Sequence, residues 1–199
     1  MNHMNLFLGK TLHLASLSGN QNCIVAFERS KNRYEILVKN LQLHDANSVT
    51  AFNMDPTKLS CAEILEACSG KIARNVKGFH RIVLDPPCSG FGKRPDLHPQ
   101  LPKANFSSLQ RMLLSIALNL LLPGGVLIYS TCSILPEENE MVLHHVMEKR
   151  DDIKIADLQY DLGIPGIPVE GRDCFLKCRR FLPSKTDTVG FFICKIQRL

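Results

Sequence analysis

The sequence predicts an α/β fold built on a mostly parallel sheet. Two observations predict it. Short β-branched apolar runs alternate with longer amphipathic stretches along the whole chain. The apolar runs are continuous, as strands covered on both faces are, rather than alternating. At 199 residues, one domain over residues 1–199 is expected.

The elements follow in order. Lys10 to Leu17 reads as the start of a helix, and Asn22 to Phe27 (NCIVAF) as a buried strand. Ser30 to Leu41 is amphipathic, with Ile36, Leu37 and Leu41 on one face and Lys31, Arg33 and Lys39 elsewhere. Val49 to Asn53 is a strand and Leu59 to Ala67 a helix. Arg81 to Leu84 is a strand running into Asp85-Pro86-Pro87-Cys88-Ser89-Gly90. Ser107 to Leu122 is a long helix stopped by Pro123-Gly124-Gly125. Val126 to Tyr129 is the next strand and ends at Ser130-Thr131-Cys132-Ser133. Pro136 to Lys149 reads as one helix, with Pro136 at a favourable first position and Glu137 and Glu138 in the first turn. Gly163 to Gly171 is a Pro/Gly-rich loop before a terminal hairpin whose last strand covers Val189 to Ile196.

A hydrophobic content of 45% with 22% charged residues excludes wholesale disorder. The net charge of +5 suits a polyanionic partner, although many ordinary enzymes share it. The longest apolar stretch, Met112 to Leu122, is too short to span a bilayer. Eight scattered cysteines without a secretory leader fit a reducing compartment, the cytoplasm first and the nucleus as the alternative. Cys174 and Cys178 have no matching second pair, so no metal site is expected.

In open α/β sheets ligands sit outside the carboxyl ends of the strands. The strand ends here offer Glu28, Asp55, Asp85, Cys88 and Cys132. Each alone has an ordinary explanation. Acidic residues open turns, lone cysteines are small buried hydrophobes, and Asp-Pro-Pro is a rigid turn. Three carboxylates and two thiols expected on one edge make a stronger signal than any one of them.

Asp85-Pro86-Pro87-Cys88-Ser89-Gly90 and Thr131-Cys132-Ser133 carry a resemblance to the RsmB/Sun-type RNA (cytosine-5) methyltransferases, the NOL/NOP/Sun family. Gln110-Arg111, Pro123-Gly124-Gly125, Tyr129-Ser130, Glu137-Glu138-Asn139-Glu140 and Gly190-Phe191-Phe192-Ile193 match the same family, so the resemblance runs from about Gly9 to Leu199. Gly92-Lys93-Arg94-Pro95 looks most like the tRNA-directed branch. The resemblance implies a Rossmann-like class I methyltransferase sheet with helices on both faces. It implies S-adenosylmethionine as cofactor and RNA, in particular tRNA, as substrate. It further implies Cys132 as the nucleophile on cytosine C6 and Cys88 as the group that removes the C5 proton and lets the enzyme detach. Asp85 would hold the base edge or the methionine end of the cofactor. Glu28 would bind the ribose and Asp55 the adenine end. Gly9 and Lys10 would end the cofactor loop. The nucleophile must be a thiolate, and Lys10 and nearby helix N-termini are the expected source of its activation.

The sequence departs from the family at its start. The family's loop reads roughly Asp-x-x-Ala-x-Pro-Gly-Gly-Lys-Thr, whereas this chain has Met4-Asn5-Leu6-Phe7-Leu8-Gly9-Lys10-Thr11. The apolar strand before that loop and an upstream RNA-recognition region are expected to be lacking, with residues 1 to 8 at most a short substitute strand. Two other readings stand beside the enzyme: an inactive relic acting as a basic RNA-binding module, and a non-covalent amino-methyltransferase. The second cysteine, Cys132, argues against the last.

Overall fold

The computed structural model describes the backbone of residues 2–5, 8–72, 75–93 and 106–199, and their side chains from Lys10 onward. Arg94 and Pro95 of the Gly92-Lys93-Arg94-Pro95 motif lie outside the described residues. The chain divides into two compact units. One comprises Met1–Leu84 and Ile116–Leu127, the other Asp85–Ser115 and Ile128–Leu199.

The first unit carries the parallel sheet. Its strands are β1 (Asn2–Asn5), β2 (Cys23–Glu28), β3 (Val49–Asn53) and β4 (Phe79–Leu84), in the order β3-β2-β1-β4. All three pairings are parallel. The short polar β1 therefore fills the central position, with His3 opposite Ile24 on one side and Arg81 on the other. Ladder hydrogen bonds use backbone groups that every residue here possesses, so a strand pinned between two neighbours needs no apolar side chains to form. Helix α1 (Leu8–Leu17) follows β1, α2 (Lys31–Leu43) follows β2, and α3 (Cys61–Lys71) follows β3. Ile24 and Ala26 of β2 pack with Ala15, Leu37, Leu41 and Ala46 in a buried cluster. Ile36, expected on that face, is 51% exposed. Leu37 and Leu41 lie one above the other at i, i+4, while Ile36 is rotated by about 100° to the solvent edge. Helix α3 begins with a capping box. Glu63 N donates to Ser60 Oγ (3.2 Å), and Glu63 Oε2 accepts from Ser60 N (2.8 Å).

Two elements begin in one unit and end in the other: α4 (Ser107–Leu120) and β5 (Leu121–Thr131). The expected helix to Leu122 thus ends two residues early, and Pro123-Gly124-Gly125 opens a strand instead of separating helix from strand. Gly124 takes φ +72°, which glycine accepts without penalty.

The pairings of the second unit are antiparallel, as the expected terminal hairpin requires and unlike the parallel set of the first unit. Helix α5 (Glu140–Met147) leads to β6 (Ile153–Ala156), β7 (Ile164–Pro165), β8 (Arg179–Phe181), the single turn α6 (Pro183–Thr186) and β9 (Phe191–Arg198). Strand β9 pairs antiparallel with β6 and β8, and β7 pairs with β8. Alternate residues Phe192, Cys194 and Ile196 of β9 are buried. The ring of Phe192 meets Tyr129 edge-on at 6.3 Å. The helix expected from Pro136 to Lys149 is broken. A 3-10 turn at Pro136–Glu138 is followed by Asn139 at φ −120°, ψ −103°, and only then by α5. Among the described residues no helix is long and apolar enough to cross a membrane.

Candidate active site

Two strands of different sequence position deliver the thiols. Cys88 sits four residues beyond the end of β4, in the turn closed by Gly90 at φ +75°. Cys132 directly follows β5. Their sulfurs are 3.3 Å apart, a hydrogen-bonded thiol pair, and both side chains are half-buried. The Cys88 turn is held by Gln110 of α4, a fully buried side chain whose Nε2 donates to the Pro87 carbonyl (2.9 Å). The Cys132 turn is held by Asn139. Its Oδ1 accepts from Thr131 Oγ1 (2.6 Å), and its Nδ2 donates to the Ser133 carbonyl (3.0 Å). This double use of its side chain explains why Asn139 leaves helical geometry: its polar atoms serve the neighbouring strand end.

Gly92 N donates to the Cys132 carbonyl (2.9 Å), and Gly190 N donates to the Gly92 carbonyl (2.6 Å). A Cβ on Gly92 would lie 2.1 Å from the Gly190 oxygen and 2.8 Å from the Cys132 oxygen, both backbone atoms. Only glycine fits this approach.

The pair is polarised. Cys132 is lowered to about 6 by the hydrogen bond from the Cys88 thiol, against the cost of burial, with Lys93 lowering it further and Asp85 opposing. Cys88 is pushed up, first by that same bond, then by burial and by the charge on Cys132. The pair thus favours the thiolate on Cys132 and the proton on Cys88. Lys93 is a cation set against Cys132, one that the sequence reading did not name in that role.

Of the predicted cofactor residues, Gly9, Lys10, Glu28 and Asp55 lie in the first unit and Asp85 in the second. Gly9 and Lys10 occupy the first turn of α1, directly after β1. Glu28 ends β2 and is buried. Its Oε1 accepts from Ser30 N (2.9 Å), while Oε2 lies 3.1 Å from the Arg33 guanidinium and completes no hydrogen bond. The register Glu28↔Asn53 and the bond from Met54 N to the Glu28 carbonyl (3.1 Å) bring Glu28 beside the end of β3, where Asp55 stands. Asp55 caps the turn Pro56–Lys58. Its Oδ1 accepts from Thr57 N (3.0 Å) and Thr57 Oγ1 (2.7 Å). Burial would raise its carboxyl, but those bonds, with Arg29 and Lys58, hold it below its usual value. The ordinary turn reading of Asp55 is thus also satisfied.

Sequence reasoning missed Asn139 and Lys93 as supports of Cys132. Locally Glu137-Glu138-Asn139-Glu140 reads as a helix start, and only its match to the family sets it apart. One further cluster carries potential ligands: His144 Nε2 lies 3.6 Å from Glu148 and 3.2 Å from Glu170. Both glutamates are solvent-exposed, as in an ordinary surface contact.

The first unit is a parallel α/β unit of Rossmann-like type with an acidic residue closing its second strand, and the second unit carries a strand-end pair of thiols. The family model described as "16S rRNA methyltransferase RsmB/F" matches residues 8–197, and the chain belongs to that family. It is 32% identical to the human tRNA (cytosine(72)-C(5))-methyltransferase NSUN6, over 94% of this chain and 46% of that protein. It is also 32% identical to the tRNA (cytosine(72)-C(5))-methyltransferase of Pyrococcus horikoshii, over 96% of this chain and 44% of that protein. The crystal structure of NSun6 from Pyrococcus horikoshii with SFG superposes with a TM-score of 0.81 at 30% identity, covering 98% of this chain and 47% of that one. The chain spans about half the length of these relatives.

Proposed function

We propose that the protein is an S-adenosylmethionine-dependent RNA (cytosine-5) methyltransferase acting on tRNA. The observation that carries this reading is the 3.3 Å thiol pair at two strand ends, with Cys132 its lowered member. The relatives named for tRNA cytosine-5 methylation support the substrate class. The relative solved with SFG, an S-adenosylmethionine analogue, supports the cofactor. The residues fit that cofactor: the buried Glu28 Oε2, without a completed hydrogen bond, suits a ribose hydroxyl. Asp55 would serve the adenine end, with Gly9, Lys10 and Asp85 completing the cofactor contacts. When bound, S-adenosylmethionine supplies the electrophilic methyl group that C5 accepts.

The chain's own residues do the rest. Cytosine C5 is a poor nucleophile. The Cys132 thiolate forms a bond to C6, and the displaced π electrons make C5 enamine-like. Asp85 accepts a hydrogen bond from the base edge and orients the ring. Once Cys132 is bonded to carbon it is neither a charge nor a strong acceptor. The causes that raised Cys88 then fall away, and its proton can leave. The Cys88 thiolate takes the C5 proton, the C5–H electron pair restores the C5–C6 double bond, and the C6–S bond breaks to return the Cys132 thiolate.

Calorimetric titration of the chain with S-adenosylmethionine, followed by transfer of labelled methyl to tRNA, tests the proposal. Saturable micromolar binding and methyl on C5 are expected, and Cys132→Ala should abolish transfer. Transfer by the Cys132→Ala variant, or methyl found on N4, would remove the covalent mechanism. A folded chain that binds tRNA but no cofactor would leave only a basic RNA-binding module. Gly92→Ala should lower turnover about 100-fold, since displacing a reacting group by about 1 Å costs that much. Single-turnover rates check this.

A further inference from the structure

We infer that Glu138 is the positioning residue that holds Cys88 against Cys132, acting through Ser89. The inference builds on the thiol-pair reading above, but its test needs neither RNA nor cofactor.

Glu138 ends the 3-10 turn Pro136–Glu138 and is 4% exposed. Both carboxylate oxygens are spent on one residue. Oε1 accepts from the Ser89 backbone N–H (2.9 Å), and Oε2 accepts from the Ser89 hydroxyl (2.7 Å). Ser89 is the residue after Cys88, so this bidentate grip fixes the turn that carries the thiol. A buried carboxylate is costly unless hydrogen-bonded, and a neutral side chain of equal size would fill the space without that cost. What the carboxylate adds is a rigid, charge-assisted hold on two donors of the same residue.

The same short stretch holds the other thiol. The Glu138 carbonyl accepts from Tyr129 O–H (2.7 Å), tying the turn to β5 three residues before Cys132. The next residue, Asn139, binds Thr131 and Ser133 on either side of Cys132. Ser89 Oγ also lies 3.3 Å from Ser133 Oγ, so the residues following the two cysteines touch as the cysteines themselves do. Residues 138 and 139 thus hold one thiol turn each. Without Glu138 the Cys132 turn keeps its asparagine, while the Cys88 turn loses its carboxylate attachment and keeps only Gln110 at Pro87, the Ser89–Ser133 contact and the bond from Gly92 N to the Cys132 carbonyl. The S–H···S contact depends on that attachment, because hydrogen bonds weaken steeply with distance and angle. A Cys132 that loses the donated proton becomes an ordinary half-buried thiol.

The readout is the pH profile of Cys132 alkylation by iodoacetamide, followed at the peptide level. Wild-type chain is compared with Glu138→Ala, Glu138→Gln and Ser89→Ala, each checked for folding by circular dichroism and melting. In wild type, Cys132 should become reactive from about pH 6 upward. Glu138→Ala should move the midpoint up by about one pH unit or more, roughly a tenfold loss of thiolate on the acid side. Glu138→Gln, which keeps an acceptor for the Ser89 N–H, should restore most of the wild-type profile. Ser89→Ala, which removes only the hydroxyl bond, should fall between. Loss of fold would itself carry the midpoint up toward the value of a free cysteine, about 8.5, so only variants that circular dichroism and melting show to be folded are compared. A folded Glu138→Ala variant whose profile superimposes on wild type overturns the inference. If that variant does not fold, a Ser89→Ala midpoint equal to wild type overturns it instead. Failure of RNA methylation by the wild-type chain would count against the proposed function and leave this measurement intact.

Discussion

Replacing Cys88 with alanine is expected to stop the protein after a single methyl transfer, with RNA left covalently attached to Cys132. The two thiols touch at 3.3 Å, yet the proposed mechanism gives them opposite tasks. In it Cys132, the lowered member, attacks, and Cys88, the raised member, holds the proton. Removing Cys88 leaves the nucleophile and takes away the base that opens the adduct. General acid–base groups contribute about 10²–10⁴-fold, and a loss of that order in turnover is expected. Labelled RNA should migrate with the protein on a denaturing gel in Cys88→Ala and not in Cys88→Ala/Cys132→Ala. The pH dependence has a definite sign. A thiolate nucleophile gains reactivity as pH rises through its pKa and keeps it above. The Cys88 thiol is the first cause of the low value at Cys132, so its removal moves that pKa upward. Adduct formation by Cys88→Ala should therefore be slow near pH 6 and recover toward pH 9. Sustained wild-type turnover without Cys88, or adduct formation with an unmoved pH profile, would contradict the assignment of roles.

The largest effect on stability is expected at Arg180. Its guanidinium donates to both oxygens of Glu140 (2.8 and 2.7 Å), and the two side chains are 8% and 0% exposed. Glu140 Oε1 also accepts from Ile167 N (3.1 Å), and Arg180 donates to the Ile134 carbonyl. The pair thus ties the first residue of α5 to β8, to the loop at residue 167 and to the segment just after Cys132. Arg180→Met would leave the Glu140 carboxylate buried without its counter-charge. Breaking such a pair from one side costs about 3–5 kcal/mol. For a chain of this size that is a fall in Tm of about 6–20 °C. Arg180→Met/Glu140→Leu removes both charges together and should recover much of the loss, because a well-packed apolar pair is often as stable as the ion pair it replaces. Thermal denaturation of the two variants decides it. A double variant no better than the single one would show that the hydrogen bonds to Ile167 and Ile134 carry the stability instead of the charge pair.

Much of the fold was legible because local pattern and tertiary role agree there. β3 falls at the expected Val49 to Asn53, and β2 within a residue of its expected bounds. Continuous β-branched runs have few other ways to bury themselves. Cys88 and Cys132 stood out because the Asp-Pro-Pro turn and the polar Ser-Thr before Cys132 each follow an apolar strand. The rule that chemistry gathers at strand ends then needs no coordinates. The resemblance carried the functional class with the same residues.

What only the tertiary structure decided lies where backbone pairing or buried charge overrides local preference. Asn2–Asn5 has no apolar signature, yet it is a central strand, because its neighbours on both sides complete its ladder. The stretch from Pro136 to Glu140 reads as the start of one helix, with Pro136 first and Glu137 and Glu138 in its first turn. In the structure it is a turn, a break and a helix, with Glu138, Asn139 and Glu140 all buried. A carboxylate is hydrophilic by sequence. Only the donors brought to it from afar, Ser89 for Glu138 and Arg180 for Glu140, make its burial affordable. Those donors lie about 40 to 50 residues away along the chain, where no local pattern can announce them.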